Sequence, residues 1–276
     1  RGEYGDVSIQ ALISDRVAIA RRREPYRMER TRPNGRVIQV DHNPMPGGGY
    51  VATYTDITER KQTEARMRHL AVHDVLTSLP NRTLFLDRLR QALLSARRFQ
   101  RGVTVLFVDL DRFKDINDHF GHDVGDLMIQ EMGQRLSRII RDSDTAARLG
   151  GDEFAIIQTD VQNIEDTIAL AQRIIDELSQ PFDCRGIRLH STASVGITLF
   201  PEDGENPEQL VNNADMAMYA AKAEGRNNYR FFLPSMHERV KERKTIEEDL
   251  RNALEHDQLE LYYQPKIDCR TERVVG

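Results

Sequence analysis

Arg148-Leu-Gly-Gly-Asp-Glu-Phe154 sets two glycines and two carboxylates between apolar runs, the pattern of a tight hairpin with acid at its tip. Gly150 and Gly151 are expected in the two turn positions, where a positive φ is needed. Without Cβ atoms they also let a phosphate or a purine come close to the backbone. Asp152 and Glu153 then stand beside whatever binds. A lone Gly-Gly-Asp is more often an ordinary polar β-turn. What changes the balance is a second acidic segment upstream.

That segment is Val103-Thr-Val-Leu-Phe-Val-Asp109, a nearly continuous apolar run that reads as a central strand buried on both faces and ends in Asp109-Leu-Asp111. A carboxylate at a buried strand end is costly unless it is paired. A divalent cation offsets that cost, and Mg²⁺ is usually held by one or two carboxylates plus substrate phosphates. Asp109 and Asp152 are the candidate ligands. Together the strand and the turn resemble the GGDEF family of diguanylate cyclases, which condense two GTP molecules into cyclic di-GMP.

At 276 residues the chain has room for one full domain of about 100–200 residues and parts of others. Thirty-nine basic against 44 acidic residues leave a net charge of −5, so the cationic surface of a nucleic-acid binder is not expected. Cys184 and Cys269 are the only cysteines, without metal-ligand spacing, and a reducing, cytoplasmic setting is the expectation. No apolar run approaches the ~20 residues of a membrane helix. The chain opens on Arg1 and stops at Val274-Val275-Gly276, so it reads as an excerpt, and membrane attachment outside it stays open.

Residues 1–58 begin helical and Arg-rich, with Arg21-Arg22-Arg23 read as a solvated face. Asn34-Gly35 and Gly47-Gly48-Gly49 then separate extended segments that form hairpins of a sheet. The ending Tyr54-Thr-Asp-Ile-Thr-Glu-Arg-Lys61 resembles the C-terminal signature of PAS sensor domains, of which only the back half is expected here. Residues 59–74 are charged and helix-favouring, with Met67, Leu70, Ala71 and Asp74 near one seam. They read as a signalling linker helix, either a dimerising stalk or a plain surface helix.

The catalytic domain is expected over 75–233. Asp74-Val-Leu-Thr-Ser-Leu-Pro-Asn-Arg82 resembles the motif that opens it, with Pro80 and Asn81 leading into a helix 82–99 whose Leu84, Phe85, Leu89, Ala92 and Leu93 face one side. Helices follow at 124–140, buried through Met128, Met132, Leu136, Ile139 and Ile140, and at 163–179, buried through Ile164, Ile168, Ala171, Ile175 and Leu178. Strands are read at 145–149, 154–157, within 186–200 and at 229–232. Asn206 as N-cap, Pro207, Gln209 and, beyond the end, Gly225 bracket a helix 207–224. The order of elements points to an α/β (α+β), ferredoxin-like fold, as in polymerase palms and nucleotidyl cyclases, with a partial PAS sheet and a linker helix before it. Residues 234–276, with a charged helix from Glu238 to His256, resemble the start of an EAL phosphodiesterase domain, lacking that family's Glu-Ala-Leu motif and metal ligands.

The resemblance to diguanylate cyclases covers about residues 74–232 and implies the site. Asp109, Asp152 and the carbonyl of Leu110 would hold Mg²⁺ or Mn²⁺, and Glu153 would assist either the metal site or proton transfer. Lys114, Lys222 and Arg226 would meet the phosphates of GTP, with Gly150 and Gly151 close by, while Asn117 and Asp126 would hydrogen-bond guanine. Without the resemblance, Asn117 and Asp126 read as turn and capping residues, Lys222 and Arg226 as cations complementing a helix dipole, and His122 as structural. Arg141-Asp-Ser-Asp144 resembles the inhibitory R-x-x-D site, so cyclic di-GMP is expected at Arg141 and Asp144, with Arg173 as a second cation. The alternative is a solvated helix end with local ion pairing. Because one domain holds one GTP, activity implies a homodimer. The competing class is a non-catalytic GTP-binding module that controls an attached EAL phosphodiesterase.

Overall fold

The computed structural model describes residues 24–47, 49–184 and 186–237, with isolated residues among 10–17 and 249–274. Arg21–Arg23 and most of the helix expected from Glu238 to His256 lie outside the described residues. The chain divides into two compact units, Arg1–Val75 and Leu76–Gly276.

The first unit carries an antiparallel sheet in the order β1-β2-β3, formed by β1 (Tyr26–Thr31), β2 (Val37–Pro44) and β3 (Tyr50–Asp56). Asn34-Gly35 is the turn between β1 and β2: Gly35 takes φ 80° and Asn34 Oδ1 accepts from the Arg36 N–H at 3.2 Å. Asp56 starts helix α1 (Thr58–Val72) by accepting from the Thr58 N–H at 3.0 Å, and the Thr58 hydroxyl in turn accepts from the Val37 N–H at 2.9 Å. Lys61 pairs with Glu29 at 2.6 Å. No residue of α1 is buried, and Met67 and Leu70 are 65% and 42% exposed. The linker helix therefore shows within its unit no packed apolar face.

The second unit is built on one five-stranded sheet in the order β10-β9-β4-β6-β5. Its strands are β4 (Gly102–Leu110), β5 (Thr145–Gly150), β6 (Glu153–Val161), β9 (Ala193–Phe200) and β10 (Tyr229–Phe231). A two-stranded ribbon, β7 (Phe182–Cys184) with β8 (Ile187–Leu189), stands apart from it. The helices are α2 (Arg82–Phe99), α3 (Phe113–Phe120), α4 (His122–Ile139), α5 (Ile164–Leu178) and α6 (Pro207–Ala223). Strands β4, β5, β6 and β9 follow the split β-α-β plan of ferredoxin-like sheets, with β4 antiparallel to both β6 and β9.

The apolar run of β4 is explained by helices on both faces. Leu106, Val108 and Leu110 join Met128, Met132, Leu170 and Ile174 of α4 and α5. Val103, Val105 and Phe107 point the other way, to Phe85, Leu89, Leu210 and Met218 of α2 and α6. Asn81 caps α2 by accepting from the Thr83 and Leu84 N–H groups, and Asn206 caps α6 by accepting from Gln209 N–H. On α5 the expected Ala171, Ile175 and Leu178 are buried, while Ile168 is half-buried and Ile164 is 41% exposed. The stripe is wider than expected, since Thr167, Leu170 and Ile174 are buried as well, with the Thr167 hydroxyl donating to Gln158 Oε1 at 2.9 Å. Helix α3 was not anticipated as a helix: it is short and polar, and only Phe113 and Ile116 tie it to the core.

Candidate active site at the Gly-Gly-Asp-Glu turn

Asp109 sits on the end of β4 directly opposite Glu153 of β6, and the hairpin turn projects from the same end of the sheet. Gly150 pairs with Glu153, so the two turn positions are Gly151 and Asp152 rather than Gly150 and Gly151. The expected turn is thus displaced by one residue. Both glycines still take positive φ, 151° and 51°. Arg148 fixes the turn by donating from Nε and Nη2 to the Gly151 carbonyl at 3.0 and 2.8 Å. The Asp152 carbonyl accepts from Leu110 N–H at 3.3 Å, which draws the turn over the end of β4.

A cavity of 530 Å³ opens here, lined by Asp109, Leu110, Lys114, Asp152, Lys222 and Arg226 among others. Asp109 is 6% exposed, and its Oδ1 has no hydrogen-bond partner. Lys222 Nζ lies 2.6 Å from that oxygen and is, among the described residues, the one charged group paired with it. Burial pushes the Asp109 carboxyl up to about 6, the negative charges of Asp152 and Asp111 add to the rise, and Lys222 opposes it. Glu153 is also raised, first by burial and then by Asp215 and Asp152. Burial raises Asp215 as well, against Lys222 and Arg82. Asp215 escaped the sequence reading, although it precedes Lys222 by seven residues, two turns along the same face of α6.

Lys114 is exposed in the first turn of α3, which follows the left-handed Arg112, φ 57°. Asn117 lies one turn further on, and its Oδ1 is buried without a partner. It packs on Gly125 of α4, where a Cβ would fall 1.9 Å from that oxygen. Asp126, next to Gly125, is exposed inside α4 and not at its cap, and the Asn117 side-chain oxygen caps nothing. Neither residue therefore serves as a side-chain cap, and neither lines the turn cavity. His122 opens α4, exposed.

Arg141 and Asp144 lie between α4 and β5. Asp144 is 8% exposed, and its two oxygens accept from the N–H groups of Thr159 at 3.1 Å and Arg141 at 3.3 Å. The carboxylate thus shapes the loop first, while Arg141 is exposed. Arg173 is exposed on α5, and no contact joins it to either residue. Asp144 also lines a separate groove of 680 Å³ with Arg88, Arg101, Asp142 and Asp160, away from the acidic turn.

The residues of the turn cavity fit a divalent cation in one particular way. Among the described residues no three His, Cys, Asp or Glu side chains converge as a protein cage. Asp109 nevertheless offers a buried carboxylate whose charged partner is Lys222, with Asp152 close enough to perturb it. Such a donor set suits Mg²⁺ or Mn²⁺ that arrives with a polyphosphate and is completed by its oxygens.

A ferredoxin-like sheet whose central strand ends in a carboxylate beside a Gly-Gly-Asp-Glu hairpin defines the class of GGDEF-like folds. Residues 71–228 match the family described as "Diguanylate cyclase, GGDEF domain", and the chain belongs to that family. Residues 1–65 match the PAS fold. The bifunctional diguanylate cyclase/cyclic di-GMP phosphodiesterase MucR of Pseudomonas aeruginosa is 44% identical over 219 residues, 79% of this chain and 32% of that protein. The cyclic di-GMP phosphodiesterase NbdA of the same organism is 39% identical over 89% of this chain and 29% of its own length. The chain thus spans about a third of these relatives. Among solved structures, the GGDEF domain of TpbB (YfiN) from P. aeruginosa is similar at 39% identity and TM-score 0.60, over 61% of this chain and 99% of that one. The GGDEF domain of DgcB from Caulobacter crescentus in complex with c-di-GMP aligns at 31% identity and TM-score 0.55, over 58% and 95%.

Proposed function

We propose that the second unit is a diguanylate cyclase, which joins two GTP molecules into cyclic di-GMP with release of two pyrophosphates. The observation that carries this reading is the buried Asp109 carboxylate, paired with Lys222, in a cavity shared with Asp152, Lys114 and Arg226. Lys114, Lys222 and Arg226 offset the charge of the triphosphate, and Asn117 with Asp126 accepts from guanine N1–H and N2–H₂. Asp109, Asp152 and the Leu110 carbonyl would hold Mg²⁺ or Mn²⁺, which when bound steadies the attacking and leaving oxygens. Glu153, raised by burial, would assist either the metal site or the removal of the 3′-hydroxyl proton as that oxygen bonds the α-phosphorus and pyrophosphate leaves. The same step, run with the roles exchanged, closes the ring.

One domain holds one such set of contacts, so two copies must face each other with two-fold symmetry. The exposed Met67 and Leu70 of α1 are the natural device for holding them. Arg141, Asp144 and Arg173 are assigned to product inhibition, in a cytoplasmic signalling protein that takes its input through the PAS unit.

A second reading is favoured by NbdA, a phosphodiesterase by name. In it the domain binds GTP without turnover and regulates an EAL domain. Incubation with GTP and Mg²⁺ and chromatography of the products separate the two. Cyclic di-GMP and pyrophosphate support the cyclase, whereas GTP bound but recovered intact supports the regulatory module.

A further inference from the structure

Asp111 follows Asp109 by two residues, yet its surroundings are the opposite. It is 4% exposed and both its oxygens accept hydrogen bonds. Oδ2 accepts from the Thr192 hydroxyl at 2.6 Å and from Asn227 N–H at 3.1 Å, and Oδ1 accepts from the Ser194 hydroxyl at 2.8 Å. Arg226 Nε stands 4.0 Å from the same Oδ1. Its own N–H donates to the Thr192 carbonyl at 2.8 Å. Three of the roughly four lone-pair sites of the carboxylate are thus taken by protein donors.

What Asp111 holds is the loop after α6. Gly225, Arg226 and Asn227 all have positive φ, 116°, 63° and 49°. This conformation is uncommon for a non-glycine residue, more so for Arg226 than for Asn227, so contacts outside the loop help to keep it in place. Three do. Arg226 N–H donates to the Ala221 carbonyl at 3.2 Å, the Ser179 hydroxyl donates to Asn227 Oδ1 at 3.0 Å, and Asn227 N–H reaches Asp111. Of these partners only Asp111 is charged, and it alone also attracts the Arg226 guanidinium, whose side chain is 48% exposed. Arg226 lines both the turn cavity and an adjoining cavity of 560 Å³ that contains Asp111 and Thr192. It therefore stands at the junction of the two.

We infer that Asp111 is a positioning residue: it locks the left-handed loop 225–227 so that the Arg226 guanidinium faces the terminal phosphates of a nucleoside triphosphate. The inference rests on the phosphate role given to Arg226 in the proposed function, and it assigns to the second carboxylate of Asp109-Leu-Asp111 a task separate from metal binding.

The test is a double-mutant cycle of Asp111→Asn and Arg226→Ala. Calorimetry would measure, with Mg²⁺ present, the binding of a GTP analogue with a methylene between the α- and β-phosphates, and of GMP. Asp111→Asn is expected to weaken the analogue about tenfold, to leave GMP unchanged, and to add no loss on the Arg226→Ala background. Equal losses for GMP and the analogue, or full additivity with Arg226→Ala, would overturn the inference while leaving the proposed function standing. A wild-type chain without affinity for the analogue would overturn both. Should Asp111→Asn not fold, Thr192→Val, which removes one hydroxyl that orients the carboxylate, enters the same cycle with an expected loss of about threefold and the same criteria.

Discussion

Lys222 Nζ stands 2.6 Å from Asp109 Oδ1, and this ion pair does not bring the carboxyl back to its ordinary range. The cost of burial exceeds the gain from the ammonium. At neutral pH the metal-free site therefore carries a charge that the fold disfavours.

The sign of that cost fixes a pH dependence. The Asp109 carboxyl titrates at about 6 in the folded chain against an ordinary 3.8, so its contribution to stability is fully present below 3.8 and is lost as pH rises through 6. Asp109→Asn should accordingly be more stable than the wild type at pH 7 in EDTA, by up to about 3 kcal/mol, with the gain vanishing below about pH 4. Urea unfolding at both pH values measures it. A variant less stable than wild type at pH 7 contradicts the balance drawn here.

Asp152 tests the metal assignment from the turn side. Asp152→Ala should lower product formation at least about a hundredfold, as loss of a metal ligand that stabilises the transition state would. Because the Asp152 contact with Leu110 runs through the backbone, the turn should survive the change. Product formed at the wild-type rate with the same Mg²⁺ dependence would be incompatible with the assignment.

Gly125 gives access to Asn117 without touching it. Alanine in a helix is ordinarily better than glycine by about 1 kcal/mol, but here its Cβ would lie 1.9 Å from Asn117 Oδ1. Gly125→Ala should displace that acceptor, weaken GTP about tenfold and reduce the discrimination against ATP, as Asn117→Ala should. Competition binding of GTP and ATP decides, and unchanged selectivity in both variants would remove Asn117 from the guanine site.

Arg141 and Asp144 should part company on mutation. Arg141→Ala is expected to leave initial turnover intact and let product accumulate further. Asp144→Ala should instead lower stability by about 1–3 kcal/mol, because the N–H groups of Thr159 and Arg141 lose their acceptor. Progress curves and thermal melts report the two effects, and an Arg141→Ala chain with native affinity for cyclic di-GMP would rule out the inhibitory site.

Turnover by two facing half-sites makes specific activity a function of concentration. It should fall on dilution below the dimer dissociation constant, and mixing in Asp152→Ala chains should poison wild-type ones. Flat specific activity across that range would refute the two-copy mechanism.

Much of this architecture was legible in the sequence where period and capping agreed. Helix 82–99 with Asn81 before it and the helix beginning at Pro207 behind Asn206 are found as read. The apolar run ending in Asp109 is the central strand, covered on both faces. The turn slipped by one residue because a Gly-Gly pair reads naturally as the two turn positions, whereas the bulged pairing from Arg148 to Gly150 sets Gly150 in the strand. Helix α3 was missed because its polar residues mask a period carried by Phe113 and Ile116 alone. Asp111 and Asp215 were passed over for another reason. Their significance comes from residues distant in the chain, Asn227 for the first and Glu153 for the second, which only folding brings alongside.

Strand β5 is an edge of the five-stranded sheet, but its Arg148 N–H is not left open, since it donates to the Pro80 carbonyl at 3.0 Å. Pro80 belongs to the segment that leads into α2, where Leu79 is buried in the core and Asn81 starts the helix. That bond ties the entry to α2 to the edge strand two residues before Gly150, so the segment that closes the sheet edge is also the one that Leu79 anchors in the core.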